Sequence, residues 1–326
     1  MSQKTKNIIL TSLKAVVSAG LIYFIITRID LEKFIANISN FPLWALPIVA
    51  VAFCATVLIG GWRWKIFIRP FGKISYWRLV ALYYVGYFFN NFLPSGVGGD
   101  VVRGYISGKE LDNMAGAYST ILAERVSGIL ATVFLSLVAL PFIKFNSQIF
   151  FASISLNIGL WTGVLLFLLL PSEKIFEKYF RWLPFNLGEK LKNFATTLRS
   201  YRSTPKILIS GFFASVLYQG SIILVVALAG YFAGAKLPLP FYFATVPLVW
   251  VISLIPISLN AIGVREASFA YFFDLYGAGK STGFLVSIVV FGISVAAGIL
   301  GGIIFAFWNS TQKKRSASLP LDKPSA

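Results

Sequence analysis

Residues 90–109 read NNFLPSGVGGDVVRGYISGK, a Pro/Gly-rich turn carrying Asp100 and Arg103 between two strongly apolar segments. In a soluble protein this would be an ordinary loop. Here the surrounding chain is mostly lipid-soluble, and polar, non-helical backbone at membrane depth is tolerated only inside protein or against a water-filled cavity. The stretch is therefore the first functional candidate.

Of 326 residues, 57% are hydrophobic, 16% aromatic and 13% charged, about half the charged fraction of a soluble domain. Apolar runs near the roughly 20 residues needed to cross a bilayer recur along the chain. They identify an all-α polytopic membrane protein with one membrane domain, 1–308, and a basic cytoplasmic tail, 309–326. The single cysteine, Cys54, excludes an internal disulfide, and there is no histidine. Acid/base chemistry is thereby confined to twelve carboxylates, and neither a metal nor a cofactor is expected. The N-terminal apolar run lacks a small-residue cleavage site and reads as a retained first helix. The 29 Lys+Arg, against 12 Asp+Glu, cluster in loops beside the apolar runs. That is the pattern of cytoplasmic topology determinants with an attraction for anionic lipids, not of a nucleic-acid binder.

The apolar segments are approximately 8–27, 43–60, 79–93, 118–143, 149–170, 207–232, 241–257 and 282–308. Segment 79–93 covers only about 22 Å as a helix, against a hydrocarbon core of about 30 Å. Segment 241–257 is little longer and contains Pro247 and Pro256. Basic residues precede the first segment and follow the second, and the loop 171–206 carries eight basic against three acidic residues, net +5. Placing these loops and both termini on the cytoplasmic side leaves about six full spans. Parity then requires 79–93 and 241–257 to enter and turn back as re-entrant helical hairpins.

An internal repeat points the same way. Leu93, Pro94 and Arg103 have counterparts in Ile255, Pro256 and Arg265, 162 residues later. Gly98 and Gly99 stand in the first motif and Gly263 in the second. The same offset carries the starts at 43 and 118 to within two residues of those at 207 and 282. The chain thus divides into halves of about 1–143 and 149–308 with opposite orientations in the membrane. Inverted repeats with Pro/Gly-interrupted segments at matching positions mark a transporter-type site near the midplane. Pro94, Gly96, Gly98, Gly99, Pro256 and Gly263 are the expected hinge and turn residues.

Asp100 and Arg103 fall at the start of a helix beginning after Gly99, where an arginine beside free backbone N–H groups suits a phosphate. Equally open is a plain ion pair with Asp100, or snorkelling of Arg103 to the interface; Asp100 itself suits capping or pairing. Arg265 and Glu266 are adjacent, about 100° apart around a helix, so each is expected to find a separate partner. Arg103 and Arg265, on opposite hairpin tips, would place two cations around one cavity. Glu124 and Arg125 lie two turns into an apolar segment, where ionisable groups are costly and usually functional; Asp100, Arg103 or a substrate are their expected partners. Asn90, Asn91 and Asn260 add neutral hydrogen-bonding groups. The cluster Trp62, Arg63, Trp64 and Lys65 reads as an interface anchor. Tyr83, Tyr84, Tyr87, Phe88 and Phe89 read as packing residues.

FLPSGVGGDVVRGY (92–105), AERVSGIL (123–130) and IGVREASF (262–269), in that order, resemble the lysylphosphatidylglycerol synthase transmembrane-region family, the flippase half of the multiple peptide resistance factor. The resemblance implies a multi-pass inner-membrane protein that moves lipids between leaflets, in the best-known members an aminoacylated phosphatidylglycerol. Other members sit with polyprenyl-phosphate glycolipid or hopanoid pathways. The soluble aminoacyl-transferase domain is expected to be absent. The second motif has Ile257, Ser258, Leu259 and Asn260 where the family has a glycine-rich run after the proline. The expected function is transport of a phosphate-containing lipid by a protein that is not an enzyme. Its partners are an anionic lipid headgroup, anionic membrane lipids, and either a second copy or a lipid-synthesising enzyme. The alternative is a membrane-embedded transferase, or an accessory protein, acting on a lipid phosphate, with Asp100 or Glu124 as base.

Overall fold

The structure, a computed structural model, describes residues 3–28, 30–93, 97–143, 150–151, 154–155, 157–159, 162, 205–253, 255 and 257–317. Within them the chain is helical, with no strand. In order come α1 (Gln3–Arg28), α2 (Leu31–Asn40), α3 (Ala45–Ile68), α4 (Tyr76–Phe92), α5 (Gly98–Glu110) and α6 (Met114–Ala139). Then follow α7 (Pro205–Phe232), α8 (Leu239–Ser253), α9 (Val264–Leu275) and α10 (Lys280–Ala317).

Helix starts follow from local chemistry. The side chains of Asp30, Ser75 and Asn113 accept hydrogen bonds from the backbone N–H groups of Lys33, Arg78 and Gly116 at 3.1, 3.3 and 2.7 Å, satisfying donors that a helix N-terminus otherwise leaves open. At α9 the Glu266 carboxylate accepts from Gly263 N at 2.6 Å. Gly263 has φ +87°, a left-handed value that a side chain would strain.

Among the described residues four helices are long and apolar enough to cross a membrane: Ala45–Ile68, Met114–Phe142, Lys206–Phe232 and Lys280–Phe307. Large apolar side chains such as Val51, Leu217, Ile299 and Ile303 stay about half or more exposed on them, as expected where the surroundings are lipid. The protein is a multi-pass membrane protein. Expected span 8–27 falls in α1; most of span 149–170 and nearly all of the basic loop 171–206 lie outside the described residues. α2 is a helix that the loop-charge reading passed over. It packs against α10 through Phe34 on Phe284, with ring centroids 5.2 Å apart.

The short segments take the form of helix pairs. α4 has 17 residues and α8 has 15. Each is followed by a break and a second helix, α5 or α9, folded against it. Packing then crosses between the halves: α4 lies along α10, α8 lies along α6, and α3 meets α7. Advancing the starts of α3 to α6 by 162 residues reaches the starts of α7 to α10 to within four residues, and the packing partners exchange accordingly. The core formed by this crossing includes Phe53, Trp64, Leu82, Ile223, Phe241 and Phe273.

Candidate functional site

The site starts at the α4–α5 break. Asn90 Oδ1 accepts from Gly99 N at 2.8 Å, holding the start of α5 against α4. A Cβ at Gly99 would collide with the Gly86 carbonyl oxygen, so the approach requires glycine. Asp100 and Arg103, three apart on one face of α5, are both buried, and Arg103 Nη2 donates to Asp100 Oδ1 at 2.7 Å. The simple ion pair left open for Arg103 is therefore formed.

Glu124 enters from α6 and is 1% exposed. A lone carboxylate there would lose several kcal/mol of hydration. Its Oε1 instead accepts from Arg63 Nε at 3.2 Å and the Tyr83 hydroxyl at 2.5 Å, and its Oε2 from Arg103 Nη1 at 3.5 Å. The neighbouring Arg125 pairs through Nε with Asp100 Oδ2. Two adjacent residues on α6 thus reach two different partners, as their angular separation requires. The Arg103 guanidinium lies 4.7 Å from the Trp64 ring and 4.4 Å from that of Tyr83, and Arg63 lies 4.1 Å from the Tyr218 ring. Such contacts stabilise a desolvated guanidinium.

From the other half, Arg265 Nε donates to Glu266 Oε1 at 3.0 Å and to Ser287 Oγ at 3.4 Å. This corrects the expectation that Arg265 and Glu266 find separate partners. The arginine side chain is long enough to fold back across the first turn of α9, where Glu266 is held by its bond to Gly263 N. Ser287 lies 162 residues after Arg125, the offset of the two motifs, and offers a hydroxyl where the first motif's neighbour is a cation.

Arg63, Asn90, Asp100, Arg103, Glu124, Arg125 and Arg265 line one cavity of about 490 Å³. Aromatic and aliphatic side chains, including Tyr87, Ile129, Tyr218, Trp250 and Phe269, complete its wall. Glu266 stands behind Arg265 rather than in the lining. Asn91 and Asn260 do not line it either: Asn91 Nδ2 donates to Ser294 O at 2.9 Å, tying α4 to α10, and Asn260 sits in the turn Leu259–Ala261 with φ +47°. Gly98 opens α5; Pro94, Gly96 and Pro256 lie outside the described residues.

Arg63 is the residue that sequence reasoning missed. The reading of residues 62–65 as an interface anchor fails for Arg63 and Trp64, which are 5% and 0% exposed. α3 continues to Ile68 and carries both inside, where Trp64 Nε1 finds Thr120 Oγ1 at 2.9 Å. A usable signal was the spacing of Thr56, Gly60, Arg63 and Phe67, which puts them on one helix face. Tyr83, read as packing, is likewise a hydrogen-bond donor in the network.

Fold and site define an all-helical, polytopic membrane protein with an arginine-lined internal cavity. Residues 11–302 match the family described as the lysylphosphatidylglycerol synthase TM region, and the chain belongs to that family. No curated protein and no solved structure matches it.

Proposed function

We propose that this protein moves a phosphate-containing lipid, a phospholipid or a polyprenyl phosphate, between the leaflets of the cell's inner membrane. One observation carries the reading: Arg103 and Arg265, at matching positions of the two motifs, line the same cavity together with Arg63 and Arg125. A phosphate crossing hydrocarbon unaccompanied meets a prohibitive desolvation cost, and several fixed guanidinium groups offset it. The apolar wall formed by Ile129, Val133, Ile222 and Val290 suits the glycerol and first methylenes of a lipid whose tails stay in the bilayer. In this reading the pairs α4–α5 and α8–α9 are re-entrant hairpins entering from opposite sides, the halves are an inverted duplication, and both termini are cytoplasmic.

A transferase using Asp100 or Glu124 as base is less well supported, because each of their oxygens already accepts from a guanidinium. The test is leaflet exchange of headgroup-labelled phospholipids and polyprenyl phosphates in proteoliposomes. Wild type should accelerate exchange, and Arg103→Ala and Arg265→Ala should each slow it about tenfold or more, the loss of one charge-assisted hydrogen bond. Exchange equal to that of protein-free liposomes would overturn the transport reading.

A further inference from the structure

The carboxylates of the site are tied down unequally. Glu124 accepts from groups on three other helices, Arg63 of α3, Tyr83 of α4 and Arg103 of α5. Glu266 accepts from Gly263 N as well as from Arg265 and Ser287, so displacing it would open the start of α9. Asp100 has neither task. Among the described residues its Oδ1 accepts from Arg103 at 2.7 Å, its Oδ2 accepts from Arg125, and no backbone N–H donates to either.

The guanidinium groups divide in the same way. Arg63 donates through Nε to Glu124 and through Nη2 to Tyr83, and its Nη1 is sealed inside the protein. Arg103 reaches Glu124 only at 3.5 Å, which leaves Asp100 as its near anion. The Trp64 and Tyr83 rings, 4.7 and 4.4 Å away, hold the Arg103 guanidinium in place whichever anion it meets. The Arg125 side chain is 42% exposed, and Asp100, Arg103 and Arg125 all line the cavity. Two guanidinium groups, each bonded to one oxygen of the same anion, make a grip that the non-bridging oxygens of a phosphodiester fill equally well.

Resting on the transport reading, we propose that Asp100 is an exchangeable internal counter-ion that occupies the phosphate subsite when no headgroup is bound. The phosphate of the lipid takes over Arg103 and Arg125 and displaces the Asp100 carboxylate from them. Freed, that carboxylate stays in the cavity lining as an acceptor for a hydroxyl or ammonium on the same headgroup. Its return to the two arginines expels the phosphate and completes the passage. Arg103 and Arg125 are thus never left without an anion at membrane depth, where an unpaired charge is costly.

The experiment is a thermal-shift titration of the full chain in detergent with dioctanoyl phosphatidylglycerol and with inorganic phosphate, run beside leaflet exchange in proteoliposomes. Asp100→Asn removes the competing charge and nearly keeps the shape. It should lower the half-saturating phosphatidylglycerol concentration about tenfold, the effect of one charge-assisted bond, and slow leaflet exchange, because release is hindered. A residue that only positions the arginines would give the opposite binding result. Arg125→Gln, at the most exposed of these side chains, is the second variant and should weaken phosphatidylglycerol binding about tenfold. Unchanged or weaker binding in Asp100→Asn, or unchanged binding in Arg125→Gln, would overturn the counter-ion role and leave transport standing. Tighter binding in Asp100→Asn with no leaflet exchange by wild type would overturn transport and leave the counter-ion role. Tightening for inorganic phosphate but not for the lipid would overturn the assignment of the subsite to a lipid headgroup.

Discussion

Glu124 concentrates the physics of the site at the residue scale. Its burial is offset only while Arg63, Arg103 and Tyr83 all stay in place, and removing one partner of a buried pair typically costs about 3–5 kcal/mol. Glu124→Ala is therefore expected to destabilise the detergent-solubilised protein by about that amount, read as a lowered thermal midpoint. Glu110→Ala is the contrast. Glu110 pairs with Arg78, with both side chains 27% exposed, and pairs of that kind contribute about 1 kcal/mol or less. Equal losses in the two variants would contradict the network described here. The depth of Glu124 in an apolar segment was legible from sequence, as were Arg103 as a partner for it and Asp100 as a partner for Arg125. Arg63 was not, because tryptophans and a lysine around it imitate an interface belt.

At the scale of elements the question is how helices too short to span find a place. α4 answers by lying against α10 so closely that a Cβ at Gly301 would strike the Tyr84 carbonyl oxygen. Backbone cannot yield there, so Gly301→Ala should cost about 1–3 kcal/mol, the usual range for overpacking. Gly220→Ala, whose added carbon meets nothing nearer than 3.9 Å, should be neutral or slightly stabilising through its helix propensity. Thermal unfolding of the two variants checks the contrast. Re-entry is tested separately by cysteine labelling in a Cys54→Ala background. Val97→Cys, 50% exposed beside the α4–α5 break, should react from the cytoplasmic side and Asn260→Cys from the outside. The reverse pattern would contradict the proposed orientation of the halves. Proline and glycine spacing made these breaks visible in the sequence. α2 was hidden because a short amphipathic helix beside a charged turn produces no spanning-length run.

The whole molecule brings α3 to α10 together around one cavity. If Arg103 and Arg265 meet one headgroup, their contributions to transport are coupled. The double variant Arg103→Ala/Arg265→Ala should lose less than the two single losses combined, by about 0.5–3 kcal/mol in a double-mutant cycle on leaflet-exchange rates. Strict additivity would mean that the two arginines serve separate steps or separate ligands.

By itself the sequence determined the membrane class, the two interrupted segments, their 162-residue offset and the motifs that place the chain in its family. Composition, run length and Pro/Gly punctuation are local properties, and each survives in any arrangement of the helices. Only the tertiary structure decided that Arg63 is buried against Glu124, that Arg265 turns back onto Glu266, and that Arg103 and Arg265 line a common wall. The first of these joins α3 to α6, and the last brings together residues about half the chain apart in sequence. They are set by which faces close on each other, since a guanidinium at membrane depth must find a carboxylate, an aromatic face or a phosphate wherever the packing brings one within reach.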